Sequence, residues 1–222
     1  MSAVFVDHLV VAAATLAQGA AWCEATLGVT PGPGGQHPLM GTHNRVFSIA
    51  SESWPLAYFE IIAIDPAAPP PGRARWYGLD DPALQARIAD TPRLIHAVAR
   101  SPMLDMHRWG LIQVGLQPGE PLAVQRETPH GTLSWQLLVP ADGKPLCDGA
   151  LPTLIQWQGL HPAENLPACG ITLKALTLRG VPARARDVLR LRGAQVLPER
   201  QPGEAALSAV LQTPKGDVTL ES

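Results

Sequence analysis

His8, Glu60 and His96 are the side chains whose types and placement best suit shared chemistry. His8 stands between Val6 and Val10 in an apolar, β-branched run from Val4 to Val11, and His96 holds the matching place between Leu94 and Val98. Side chains alternate along a strand, so each histidine shares a face with apolar second neighbours. Glu60 lies within Tyr58-Phe59-Glu60-Ile61-Ile62, a segment apolar on both faces. A carboxylate buried there without a partner is costly, so it requires a cation, a metal or a hydrogen-bonding pocket. Two imidazoles and a carboxylate from neighbouring strands form a donor set for Zn, Fe, Mn or Ni. Two packed, hydrogen-bonded histidines are the plainer alternative, and the residues alone leave both open.

Further candidates lie nearby. His37-Pro38-Leu39-Met40-Gly41-Thr42-His43-Asn44 leads into a strand. It either carries His43 and Asn44 over a pocket mouth, His43 then joining Glu60 as a catalytic candidate, or is a polar turn. Arg73-Ala74-Arg75-Trp76-Tyr77-Gly78 joins guanidinium groups to aromatics. Arg75 and Trp76 there can clamp a carboxylate and stack on a flat ligand, or simply pack. Trp109, Trp135 and Trp157 read as core or pocket wall. Gly32 to Gly35 lacks the Lys-Ser/Thr of a phosphate loop and reads as a turn, and no serine or cysteine nucleophile has a convincing setting.

The elements that must position these residues follow a repeating order. After the first strand, Thr15 and Gln18 open a helix whose apolar stripe is Leu16, Ala20, Cys23 and Leu27, and Gly28 ends it. A strand at 94–100 precedes Ser101-Pro102 and a helix running toward Gly110. A third strand at 171–178 precedes a helix opened by Val181-Pro182 and closed by Gly193. Gly28, Gly115 and Gly193 follow His8, His96 and Lys174 at spacings of 19 or 20 residues. Strand-like segments follow each helix, so each unit reads as βαβββ. The expected division is a first unit at 1–66, a Pro-rich insert with a short helix at 67–93, a second unit at 94–160 and a third at 170–222. The fold class expected is α+β.

Bulk composition narrows the function classes. A hydrophobic content of 46% over 222 residues supplies a real core, while the many short elements fit 20 glycines and 23 prolines better than a helical bundle does. A net charge of -2 with scattered basic residues argues against nucleic acid as a partner. No apolar run reaches membrane-spanning length and no basic leader opens the chain, so neither a membrane nor secretion is expected. Cys23, Cys147 and Cys169 form no C-x-x-C pair. Reduced thiols and a cytoplasmic location are the expectation.

Four segments together, Asp7-His8-Leu9-Val10-Val11, Leu27-Gly28-Val29, Gly41-Thr42-His43-Asn44 and Tyr58-Phe59-Glu60-Ile61-Ile62-Ala63-Ile64-Asp65-Pro66, resemble the glyoxalase-like domains of the vicinal-oxygen-chelate superfamily. The resemblance covers roughly the first 160 residues, most specifically the first 66, and the third unit more weakly resembles a further module. It implies curved mixed sheets of paired βαβββ modules around a cavity, often with a divalent metal held on the first and last strands of each module. By position it implies His8 and Glu60 as ligands, with His96 and Gln156 as second-module counterparts. It implies a small-molecule ligand in the cavity, and the substrate-binding candidates are His43, Asn44, Arg75, Trp76, Gln156 and Trp157. Gln156 cannot serve as the proton-moving carboxylate of glyoxalase I-type lyases. Two functions follow as expectations: a metal-dependent lyase, isomerase or dioxygenase acting on a small oxygenated molecule, or a metal-free binding protein of the antibiotic-sequestering type. The odd third unit either packs outside a two-module barrel or pairs across a homodimer.

Overall fold

The computed structural model describes residues 3–222. In chain order its elements are β1 (Phe5–Ala12), α1 (Leu16–Thr26), β2 (Gly32–His37), β3 (Thr42–Ser48), β4 (Tyr58–Ile64), α2 (Pro82–Asp90), β5 (Arg93–Arg100), α3 (Leu104–Gln113), β6 (Glu120–Thr128), β7 (Gly131–Val139), β8 (Thr153–Gln158), β9 (Thr172–Arg179), α4 (Ala183–Leu189), β10 (Gln195–Leu197), β11 (Leu207–Thr213) and β12 (Gly216–Glu221).

Local chemistry explains most boundaries. Thr15 Oγ1 accepts the Gln18 N–H at 3.1 Å, while Gln18 Oε1 accepts the Ala14 N–H at 2.8 Å, a reciprocal closure that starts α1. Gly28, at φ +76°, ends it. Helix α3 departs from the Ser101-Pro102 start: Ser101 Oγ accepts the Met103 N–H, and the Leu104 N–H that begins the helix goes to Gln156 Oε1 at 2.7 Å. The helix also runs through Gly110, which packs against α4: Val188 fills the space where a Cβ would stand. Arg190, not Gly193, takes the left-handed position that closes α4. Residues 32–35, expected as a turn, belong to strand β2. Gly34 is needed for close approach, since a Cβ there would lie 2.2 Å from the Asn44 carbonyl oxygen, whereas a Cβ on Gly35 would meet only the flexible head of Arg126.

Eight strands form one mixed sheet in the order β2-β3-β4-β1-β5-β8-β7-β6. Its halves are alike: β1 runs parallel to β4, β5 runs parallel to β8, and the antiparallel β1–β5 pair joins them. The α+β fold is thus a curved, nearly closed mixed sheet of the vicinal-oxygen-chelate type. One face carries Leu9, Val11, Phe59 and Ile61, packed in the larger core with the apolar sides of α1 and α3. The other face carries Val10, Ile62, Val98, Leu137 and Ile155 and turns toward the interior.

Strands β9 to β12 form a separate sheet in the order β10-β9-β11-β12. The unit repeats the βαβββ sequence of elements, yet its first strand lies between the second and third instead of beside the last. Leu176, Leu178, Leu207, Ala209 and Leu211 share the larger core with Val6, Leu9 and Ala99, so this unit covers the outer face of β1 and β5. The inner face is left to the cavity.

Gly119 sets the entry of β6 against β7, at φ +89° with a Cβ position 2.1 Å from the Val139 carbonyl group. Left-handed backbone and steric clash together are expected to make Gly119→Ala cost about 2–4 kcal/mol in urea denaturation. A loss under about 0.5 kcal/mol, the ordinary surface range, would contradict this packing.

Candidate functional site

The centre of the site is a carboxylate that the sequence reading passed over. Asp7 is fully buried and lies where β1 bulges: Val6 pairs with Ala99 and His8 with Val98, so Asp7 has no partner across the sheet. A bulge re-aims side chains and breaks the alternation that would send neighbours to opposite faces. Asp7 Oδ1 receives His8 Nδ1 at 2.6 Å, and its Oδ2 receives His161 Nε2 at 3.0 Å and Trp157 Nε1 at 3.1 Å. Burial works against the charge, but the hydrogen bonds from His161 and His8 outweigh it and hold the carboxyl well below the usual range. An ionised carboxylate only accepts, so the protons sit on His8 Nδ1 and His161 Nε2.

His8 Nε2 therefore faces the interior, 3.7 Å from Glu60 Oε2. That distance is too long for a direct hydrogen bond, and an atom bonded to both can sit at the apex of the gap. The other Glu60 oxygen accepts from Asn44 Nδ2 at 2.5 Å. Tyr58 stacks on His8 with ring centroids 4.4 Å apart. These groups line a small cavity of about 40 Å³ that opens to solvent, together with His37, Trp76, Tyr77, Arg126, Trp135, Trp157 and Pro162. Burial first, then the charges of Asp7 and Glu60, holds the Tyr58 and Tyr77 phenols well above their ordinary pKa. Burial, followed by the Arg126 charge, lowers His37 to about 3, so it is neutral near pH 7.

Of the sequence candidates, His8, Glu60, Asn44, Trp76 and Trp157 meet at this cavity. Four others do not. His43 alternates with Asn44 on β3 and turns to the opposite face, where its Nδ1 lies 3.9 Å from Asp65. Arg75 is committed to Asp80, with Nη1 to Oδ1 at 2.6 Å. Gln156 alternates with Ile155 and Trp157 on β8 and is held by the N–H that starts α3. His96 Nε2 is engaged by the Thr153 N–H and side chain, and Tyr77, 5.3 Å from its ring, lines the cavity in its stead.

Strand register tests the fit of a metal. His8 pairs with Tyr58, two residues before Glu60; across the β1–β5 pair His8 meets Val98, and Val98 pairs with Thr153, two residues before Ile155. In that register the second half carries Val98 and Ile155, while His96 pairs with Val10. Among the described residues no group of three or more His, Cys, Asp or Glu side chains is placed to hold a metal ion. Superfamily members often bind divalent metals, but this donor set is only half of such a site and does not fit one.

A family model described as a glyoxalase-like domain matches residues 6–191. The chain belongs to that family. It is thereby a vicinal-oxygen-chelate superfamily member. A Staphylococcus aureus protein described as hypothetical aligns with a TM-score of 0.56 and 13% identity, over 98% of this chain and 84% of its own, which speaks to the fold alone. A Streptomyces coelicolor methylmalonyl-CoA epimerase aligns with a TM-score of 0.43 and 16% identity, over 70% of this chain and 96% of its own. A Bacillus halodurans protein, also hypothetical, gives 0.42 and 12%, over 74% and 100%. A search of curated proteins found no match.

Sequence reasoning on this glyoxalase-like chain missed Asp7, His161 and Arg126. Arg126 had a signal, since Leu122, Val124 and Arg126 form an alternating inward row on β6. Asp7 had none, because its alternation points it away from His8 until the bulge is known.

Two outcomes are expected. Asp7→Asn removes a charge that three donors converge on and should cost about 3 kcal/mol in chemical denaturation, as for other broken buried pairs. Burial, with His8 nearby, lowers His96 to about 3, as for His37. Between about 3 and the ordinary 6.5 the unfolded chain binds the extra protons. Stability is therefore fully present above pH 6.5 and falls as pH drops through that window, by up to about 1.4 kcal/mol per pH unit for each imidazole. Denaturation midpoints at pH 7 and pH 5 should show this, and His96→Gln should shrink the difference.

Proposed function

We propose that this glyoxalase-like protein is a lyase or isomerase that moves a proton on a small oxygenated molecule by acid–base chemistry, Glu60 taking and returning the proton with His8 as its partner. The observation that carries the reading is the approach of His8 Nε2 to Glu60 Oε2, 3.7 Å apart, at the wall of an aromatic cavity. Asp7 selects the His8 tautomer and holds the ring, while Asn44 occupies one Glu60 oxygen and leaves the other for the substrate. Aromatic walls displace water, so charge developing on the substrate interacts more strongly with these groups. A carbon acid bound with its C–H toward Glu60 Oε2 and its carbonyl oxygen toward a donor is set for enolisation.

Metal-dependent lyase and dioxygenase chemistry is the less favoured form of the same reading, because His96 Nε2 is engaged by Thr153 and no three His, Cys, Asp or Glu side chains among the described residues are placed to hold a metal ion. Ligand sequestration without turnover is favoured by one observation, the clustering of Trp76, Trp135, Trp157, Tyr58 and Tyr77 around the cavity.

Deuterium exchange into a panel of small ketones, 2-oxo acids and thioesters separates these readings. Wild type should exchange the proton next to the carbonyl above background, and Glu60→Gln should lower that rate by about 100-fold or more while binding persists. Binding without exchange in wild type would assign sequestration. Near-stoichiometric Zn, Fe, Mn or Ni in untagged protein, lost from both His8→Ala and Glu60→Gln, would overturn the metal-independent mechanism.

A further inference from the structure

The cavity has a second polar group that the proton-transfer machinery does not use. Arg126 is the sole Lys or Arg among its described lining residues, and no carboxylate pairs with it among the described residues. Its contact is Asn44 Oδ1 at 3.5 Å, a long hydrogen bond that leaves most of the guanidinium fork available. Asn44 also donates to Glu60, so one amide separates the cation from the carboxylate proposed as base. His37 nearby is neutral and adds no second charge.

Trp76 supplies the independent observation. Its ring lines the same cavity and is 4% exposed, yet its Nε1–H is buried with no hydrogen-bond partner. A buried donor left unpaired costs free energy and calls for an acceptor. Trp157, by contrast, donates its indole N–H to Asp7, and Trp135 packs on its ring with centroids 5.2 Å apart. The glycine at 35 leaves the room that the Arg126 head group occupies.

We infer that the ligand of this cavity is a small carboxylate with a carbonyl next to its carboxyl group and a flat apolar remainder, that is, an aromatic 2-oxo acid or close analogue. Its carboxylate lies against Arg126 and the Trp76 N–H, its remainder against Trp135 and Trp157, and its acidic carbon toward Glu60. This deepens the acid–base reading of the same site. The step is redox-neutral: a C–H bond breaks, an O–H bond forms on Glu60, and the electron pair moves to the carbonyl oxygen as an enolate. Return of the proton to carbon or oxygen completes the turnover.

Phenylpyruvate and the neutral ketone phenylacetone, followed by tryptophan fluorescence and calorimetry, test the inference. Wild type is expected to bind phenylpyruvate at least about tenfold more tightly than phenylacetone, the margin of one charge-assisted hydrogen bond. Arg126→Met should abolish that preference while leaving phenylacetone affinity unchanged, and Trp76→Phe should reduce it with the fold intact by circular dichroism. Equal affinity for the two ligands in wild type, no binding of either, or a preference that survives Arg126→Met would overturn it. Glu60→Gln keeps the two claims apart. If it and wild type bind phenylpyruvate by way of Arg126 but neither exchanges its protons, the carboxylate subsite stands and the acid–base reading falls. Exchange into neutral ketones with no carboxylate preference gives the reverse.

Discussion

The Asp7 carboxylate is the constraint on which the site's arrangement depends. A charge fully removed from water is tolerated only when its oxygens are satisfied, and here three N–H groups do so from three parts of the chain: His8 on β1, Trp157 at the end of β8, and His161 in the segment after it. The same bonds fix the first strand of one half to the last strand of the other. They orient His8 toward Glu60, seat Trp157 in the cavity wall and draw the 159–171 segment across, so that Pro162 also lines the cavity. Stability and site geometry are therefore the same set of contacts.

The two halves of the eight-stranded sheet are alike in topology and unlike in chemistry. His8 and Glu60 line the cavity from one half, and Leu137 and Ile155 line it from the other. A cavity built this way has one polar wall and one apolar wall, which suits a ligand with a reactive oxygenated end and an apolar remainder better than it suits an enclosed ion. The insert between the halves completes the wall: Trp76 and Tyr77 are carried inward by a single turn in which Tyr77 sits at φ +58°, a strained conformation for a residue with a side chain. Gly78 N–H bonds to the Gly143 carbonyl at 2.8 Å and ties that turn to the loop between β7 and β8.

The third unit acts at one remove. It shares its core with the outer face of β1 and β5, and its entry passes through His161, so its packing and the position of the Asp7 partners are mechanically joined. Its strand order differs from that of the halves, and it leaves the inner face free.

What the sequence by itself determined is whatever local chemistry controls: the capped start of α1, the glycine that ends it, the alternating strands, the α+β class, and the family likeness around His8 and Glu60. Those signals are written in residues a few positions apart, because caps and alternation act over one turn or one strand. Tertiary structure decided the rest. His43 and Gln156 were lost to the site by a one-residue parity, and His96 by the Thr153 N–H and side chain that engage its Nε2, contacts no local pattern reveals. The pairing of Asp7 with His161 spans 154 positions, and Arg126 reaches Asn44 across 82. Such contacts exist only once the sheet has curved, because curvature brings strands distant in sequence around one interior.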